Sequence, residues 1–326
     1  MLSLANVAVH PSAFPETVER DLLQSFRSRR VDPKFHYTTY KQSRKWLALH
    51  ESYSPSRTDD ACAAIYDRSF KAAAKSLKAP SVRVIGLGCG GGQKDARLLS
   101  ILAGQGTAVS YVPCDISLAL VLTSLQAAEA ALPGTKCDPL VCDLTHAIDL
   151  PQFFNLQPGA RLFAFFGMIP NFDPETILPR LTALLGPEDY LLFSANLAPG
   201  PDYRAGVQHV LPGYDNPQTR DWLATFLQDL GVEPGDGVME FSIEQNAAGI
   251  QRIVADYKFT KRRVFTVHGE EFKFVEGDKI RLFFSYRYTP DRIVALLSHY
   301  KLSTLEQFIA PSGEEGVFLC NRAGGQ

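Results

Sequence analysis

The chain has 326 residues, with 33 basic against 35 acidic side chains and a sequence pI near 6.4, so no basic excess exists to neutralise a run of phosphates and nucleic acid is not expected as a partner. An apolar share of 45% and a charged share of 21% match an ordinary globular composition, which argues against disorder and supplies enough apolar surface for a full core. The length exceeds the usual single domain, so two lobes are expected.

The first 60 residues show no strand that must precede a sheet, and 31–57 are unusually aromatic, with Phe35, His36, Tyr37, Tyr40, Trp46 and Tyr53. From 81 to 197 apolar strands alternate with helical stretches: strands at 82–87, 109–113, 140–142, 161–166 and 190–194, and helices at 95–103, 118–132 and 174–185. That alternation predicts a parallel sheet with crossover helices, and near-continuous runs such as Leu162-Phe163-Ala164-Phe165-Phe166 suit strands covered on both faces. Between 199 and 287 the texture changes to a loop rich in Pro and Gly, a helix at 218–230, and stretches at 239–245, 250–259, 263–268 and 280–288 with the composition of an antiparallel meander. A closing helix at 290–299 and a hairpin of 304–309 with 316–320 return to the first sheet.

Six cysteines (Cys62, Cys89, Cys114, Cys137, Cys142, Cys320) include no C-x-x-C pair and have no histidines at metal-ligand spacing, so neither a disulfide framework nor a metal site is expected. Residues 1–31 lack a hydrophobic leader and no apolar run approaches a membrane span, which predicts a cytoplasmic protein.

The turn Gly86-Leu87-Gly88-Cys89-Gly90-Gly91-Gly92 joins the first strand to a helix, where glycine lets backbone approach a ligand closely. Such a turn alone also serves dinucleotides. Asp115 ends the second strand, where it can accept both ribose hydroxyls; Asp143 ends the next, where it can accept an adenine amino group beside the amide of Leu144. Two acids at consecutive strand ends after a glycine turn describe an adenosyl pocket of S-adenosylmethionine rather better than a dinucleotide site. Helix capping or loop solvation is the plainer alternative for both. Gly88, Cys89 and Gly90 lie nearest the cofactor, and Lys94 is placed to neutralise its methionyl carboxylate. One departure stands out: the acid often found two residues before the first glycine of the turn is here Gly86, so the cofactor ammonium needs another acceptor.

With Pro33-Lys34-Phe35-His36-Tyr37, Glu51-Ser52-Tyr53-Ser54-Pro55-Ser56-Arg57-Thr58, Tyr111-Val112-Pro113-Cys114-Asp115, Phe165-Phe166-Gly167-Met168-Ile169-Pro170-Asn171-Phe172 and Ser285-Tyr286-Arg287-Tyr288 in this order, the chain resembles the histidine-specific N-alpha-methyltransferase family. The resemblance implies a Rossmann-like, seven-stranded class I methyltransferase domain over 60–198 plus 286–326. It also implies an α+β substrate-binding domain from 199–285, completed by 1–59. It further implies that Tyr37, Tyr53 and Asn171 hold the α-amino and carboxylate groups of an amino acid, that Gly167 leaves room for the amine, and that Trp46, Thr219, Trp222 and Ser285 line the pocket. Ordinary core packing is the alternative for the aromatic members.

Histidine-acting members carry a glutamate two residues before that serine; here the position is Phe283. An imidazole lacking its acceptor forfeits on the order of 1–3 kcal/mol of discrimination. An aromatic, tryptophan-like amino acid or derived amine is therefore expected rather than histidine. Catalysis is expected to rest on alignment of a neutral amine, with Tyr53 and Asn171 orienting it, since a phenol of ordinary pKa is a poor base at neutral pH. Alternatives are histidine N-alpha-methylation, another transfer from the same cofactor such as an aminocarboxypropyl group, and a binding module without turnover.

Overall fold

A computed structural model of the chain describes residues 5–154 and 159–324. The N-terminal segment forms strand β1 (Ala8–Val9) and helices α1 (Pro15–Arg27), α2 (Tyr40–Tyr53), α3 (Pro55–Thr58) and α4 (Asp60–Ser76). The alternating region follows as β2 (Ser81–Leu87), α5 (Gln93–Gly104), β3 (Ala108–Asp115), α6 (Leu118–Ala131), β4 (Lys136–Cys137), β5 (Leu140–Val141), α7 (Leu150–Phe154), β6 (Ala160–Phe165), α8 (Pro174–Leu184) and β7 (Tyr190–Asn196). Next come α9 (Tyr203–Tyr214), α10 (Pro217–Gln228), β8 (Gly237–Gln245), β9 (Gln251–Phe259), β10 (Arg263–Val267), β11 (Glu270–Phe274) and β12 (Lys279–Tyr286), and the chain closes with α11 (Pro290–His299), β13 (Leu302–Ile309) and β14 (Glu315–Arg322).

The main sheet runs β1-β5-β3-β2-β6-β7-β14-β13, with β4 also beside β3. Its strands pair in parallel as far as β7, and the final hairpin adds antiparallel. Alternate residues of β2 and β6 feed two cores: Ile85, Phe163 and Phe165 face one, Val82, Val84, Leu162 and Ala164 the other. Burial on both faces is the reason these strands read as unbroken apolar runs. Strand order reverses at β2, with β3 on one side and β6 on the other, so the glycine bend after β2 sits at the topological switch point where α/β sheets bind ligands.

Among the described residues the sheet has nine strands, two more than the seven expected. The additions are β4 and β1, the latter an N-terminal edge strand in register with Leu140 and Val141, although nothing in the first 60 residues demanded a strand. A two-residue strand carries too little alternation to be read from sequence. The Pro/Gly-rich stretch after 199 also differs from expectation, forming helix α9 rather than a loop. Asp202 caps it by accepting from the Ala205 amide, and Pro212 falls in its last turn. Local composition suggested a breaker; the cap and the buried Val207 and Val210 outweigh it.

The second lobe is the antiparallel sheet β12-β9-β8 with a separate β10-β11 hairpin. Its core joins Phe26, Val31 and Phe35 of the N-terminal segment to Trp222, Phe226, Phe259 and Phe283. Backbone pairing reinforces this, with the Val31 amide donating to the Arg281 carbonyl at 2.8 Å and the Trp222 indole to the His36 carbonyl at 2.9 Å. The opposite face of β12, through Phe284 and Tyr286, enters the core of the main sheet. No helix among the described residues is long and apolar enough to cross a membrane.

Phe26 packs its ring on Phe226, Phe265 and Phe272 at centroid distances of 5.8, 5.3 and 5.1 Å. Phe26→Ala is expected to cost about 3–5 kcal/mol, seen as a lower urea midpoint with little change in slope.

Candidate functional site

One cavity of about 390 Å³ opens at the carboxyl ends of β2, β3, β5, β6 and β7 and extends beneath the N-terminal segment to β12. All the residues singled out from sequence line it: Tyr37, Trp46, Tyr53, Gly88, Cys89, Gly90, Lys94, Asp115, Asp143, Leu144, Gly167, Asn171, Thr219, Trp222, Phe283 and Ser285.

At the bend, Gly88 and Gly90 have φ of 69° and 54°, the left-handed region that glycine enters without strain. A Cβ at Gly88 would meet the Met168 side chain at 2.4 Å, and one at Gly90 the Trp46 ring at 2.9 Å. Trp46 on α2 thus packs on the bend from the N-terminal side. The Gly90 amide donates to Asp115 at 3.1 Å and the Ser117 amide to its other oxygen at 3.0 Å, which fixes the carboxylate while leaving lone pairs for a ligand. Burial raises the Asp115 carboxyl to about 6 against the lowering effect of those amides.

Gly86 has a spatial explanation. A Cβ there would lie 2.1 Å from Oδ2 of Asp95, a carboxylate that α5 inserts into the space above the strand and that accepts from the Tyr111 hydroxyl at 2.5 Å. Burial raises its carboxyl to about 7. Asp95 also lines the cavity, so an acid is present near the bend although position 86 lacks one.

Asp143 is more heavily engaged than sequence suggested. Its Oδ2 accepts from the Lys34 ammonium at 2.7 Å and lies 2.9 Å from His146, and its Oδ1 accepts from the Thr145 amide and hydroxyl. Burial works against ionisation, but His146, Lys34 and Thr145 together hold the carboxyl far below the usual range. Lys34 also binds Asp21 at 2.5 Å. Asp143 therefore anchors the N-terminal segment, whatever it offers a nucleobase. Lys94 likewise has a partner already: its ammonium donates to the Tyr66 hydroxyl at 2.8 Å and lies 3.5 Å from the buried Glu315, to which Tyr66 also donates. Glu315, Asp95 and the role of Lys34 were not legible, since each depends on a contact distant in sequence.

At the far end Asn171 stands in the single 3-10 turn Ile169–Asn171 after β6, and its amide nitrogen donates to the Phe284 carbonyl at 2.7 Å. That bond fixes the amide orientation and leaves the side-chain oxygen an acceptor with no hydrogen bond among the described residues. Among the described residues, an added Cβ at Gly167 would meet nothing beyond its chain neighbours within 4 Å, and its amide donates to Ser194 at 2.8 Å. Phe283 forms a wall with Tyr214 and Trp222, each at a ring distance of 6.1 Å. Thr219 bonds Asn216 at the start of α10, and Ser285 lies 2.9 Å from the Tyr214 hydroxyl. Burial, with the Asp115 charge adding, holds the Tyr37 hydroxyl well above the ordinary phenol range, so it keeps its proton at neutral pH. Tyr53 is 46% exposed, at the cavity rim.

The model of the family described as histidine-specific methyltransferase, SAM-dependent, matches residues 18–322. No curated protein matches the sequence. Among solved structures, the mitomycin 7-O-methyltransferase MmcR is 13% identical over 96% of this chain and 70% of its own, with a TM-score of 0.44. The CcbJ methyltransferase from Streptomyces caelestis is 14% identical over 78% of this chain and 95% of its own, with a TM-score of 0.36. OxaC, solved with SAH and oxaline, is 10% identical over 78% of this chain and 46% of its own, with a TM-score of 0.42.

The pocket suits S-adenosylmethionine: the bend exposes backbone that a Cβ would obstruct, and Asp115 keeps acceptor capacity beside it. Ribose hydroxyls donate to a carboxylate, so affinity for S-adenosylhomocysteine should fall as pH drops below about 6, where Asp115 takes up a proton. Calorimetric titration is expected to show roughly tenfold weakening per pH unit there, and Asp115→Asn should bind weakly at every pH with that step gone. The parallel sheet, the bend at its switch point and a family match over 18–322 together make one statement: the chain belongs to the SAM-dependent, histidine-specific methyltransferase family and is an S-adenosylmethionine-dependent methyltransferase.

Proposed function

We propose that the protein methylates the α-amino nitrogen of an amino acid or derived amine with an aromatic, tryptophan-like side chain. The observation that carries this reading is the pairing of Asn171 with Phe283 in one cavity. Asn171 offers an amide oxygen whose orientation is fixed from behind by Phe284, and Phe283 supplies an apolar wall where imidazole recognition would need an acceptor.

S-adenosylmethionine supplies a methyl group activated by its sulfonium. The chain's own residues hold the nucleophile. The Asn171 oxygen accepts from an amine N–H and leaves the nitrogen lone pair free to face the methyl donor. Gly167 leaves the approach open, because no side chain projects there. Tyr37, kept protonated by burial, donates to the substrate and does not take its proton. Tyr53 at the rim orients the incoming amine, and the proton lost before attack passes to water. Alignment of this kind can supply roughly 7–11 kcal/mol of the barrier.

Histidine remains the substrate to compare directly, since the family description names it. Incubation with labelled cofactor and a panel of amino acids and amines is expected to give N-methylated product from tryptophan-like substrates well ahead of histidine. A product heavier by an aminocarboxypropyl group, or no product from any α-amine, would refute the proposal. Phe283→Glu should move preference toward histidine by roughly ten- to hundredfold in kcat/KM, the range of one buried hydrogen-bond partner. Asn171→Ala should lower kcat while leaving S-adenosylhomocysteine affinity intact.

A further inference from the structure

We propose that Arg287 is the anion-binding residue of the substrate pocket and pairs with a carboxylate carried by the substrate. This deepens the reading above by dividing the amino acid between two holders, with the amine at Asn171 and the carboxylate at Arg287.

Arg287 continues the alternation of β12, its amide donating to the Gln251 carbonyl at 3.0 Å, so Phe283, Ser285 and Arg287 follow one another on one face. All three line the cavity, and Arg287 is only 7% exposed. Its guanidinium makes only neutral contacts. One terminal nitrogen donates to the carbonyls of Leu197 at 2.9 Å and Glu314 at 3.3 Å, and the other donates to the Tyr214 hydroxyl at 2.8 Å. Among the described residues the Nε–H has no acceptor.

Among the described residues no carboxylate lies within ion-pair distance of Arg287. The other cations of the cavity differ in this respect: Lys34 has Asp21 and Asp143, Lys94 has Glu315 at 3.5 Å, and Arg57 has Glu51 at 3.9 Å. A buried, permanently charged guanidinium with only neutral partners is costly unless an anion completes it. The carbonyl contacts fix its head, and the buried Nε–H is left unanswered, so the guanidinium keeps donor capacity that an anion entering the cavity it lines can take up. With Phe283 two residues back supplying an apolar wall, the face selects an apolar body ending in a carboxylate.

The test is calorimetric titration of the S-adenosylhomocysteine-loaded protein with three carboxylic acids and their primary amides: indole-3-propionate, 3-phenylpropionate and imidazole-4-propionate. Wild type is expected to prefer at least one acid over its amide by roughly ten- to hundredfold, the range for a charge-assisted hydrogen bond. Arg287→Met should abolish that preference and Arg287→Lys should retain part of it, with S-adenosylhomocysteine affinity unchanged in both, which also reports an intact fold. Equal binding of acid and amide, no binding of any acid to wild type, or a preference that survives in Arg287→Met would each overturn the assignment. These probes carry no amine, so failure of every α-amine to be methylated would sink the earlier reading without touching this result.

Discussion

The Lys34 ammonium ties the N-terminal segment to the main sheet. It lies between Asp21 on α1 and Asp143 after β5, with side-chain exposures of 5%, 11% and 6%, so the N-terminal segment is fastened to a strand end that borders the cavity. Removing one partner of such a buried pair generally costs about 3–5 kcal/mol because the other is left uncompensated. Around this fastening the Ser43 and Ser117 hydroxyls meet at 2.8 Å and Trp46 reaches the bend. The cavity is therefore a property of the whole chain. The sheet supplies its floor, the N-terminal helices part of its wall and β12 its far end.

Strand β12 contributes to two cores at once, and this ties the far end of the cavity to the main sheet. Ile280, Leu282 and Phe283 belong to the core shared with the N-terminal segment, whereas Phe284 and Tyr286 enter the core of the main sheet. The Phe284 carbonyl also takes the Asn171 amide. A displacement of the second lobe would thus shift the Asn171 oxygen and the Phe283 ring together. The positions of the Asn171 side chain and the Phe283 ring are thus both tied to the same eight residues of backbone.

The sequence made the sheet legible because both of its faces are buried, and burial on both faces leaves unbroken apolar runs such as 162–166 that need no knowledge of partners. The glycine bend was legible for a similar reason, since left-handed backbone restricts the residue type locally. Helix α9 was not, because Pro212 and Gly213 dominate its local composition while its support comes from Val207 and Val210 packing on Ala198 and Ile253. Strand β1 was missed because its two residues gain their structure only from Leu140 and Val141. In the site, placement at a strand end pointed to Asp115 and the family resemblance to Asn171, whereas the engagement of Asp143 by Lys34 spans 109 positions and leaves no local mark. Lys34 and Arg287 were both inside recognisable motifs, but their charges acquire meaning only from which neighbours do or do not answer them.

Gly86 and Asp95 occupy one volume: the carboxylate from the helix fills the place where a side chain on the strand would begin. A side chain introduced at position 86 would therefore have to displace the Asp95 carboxylate, because strand and helix cannot both fill that volume.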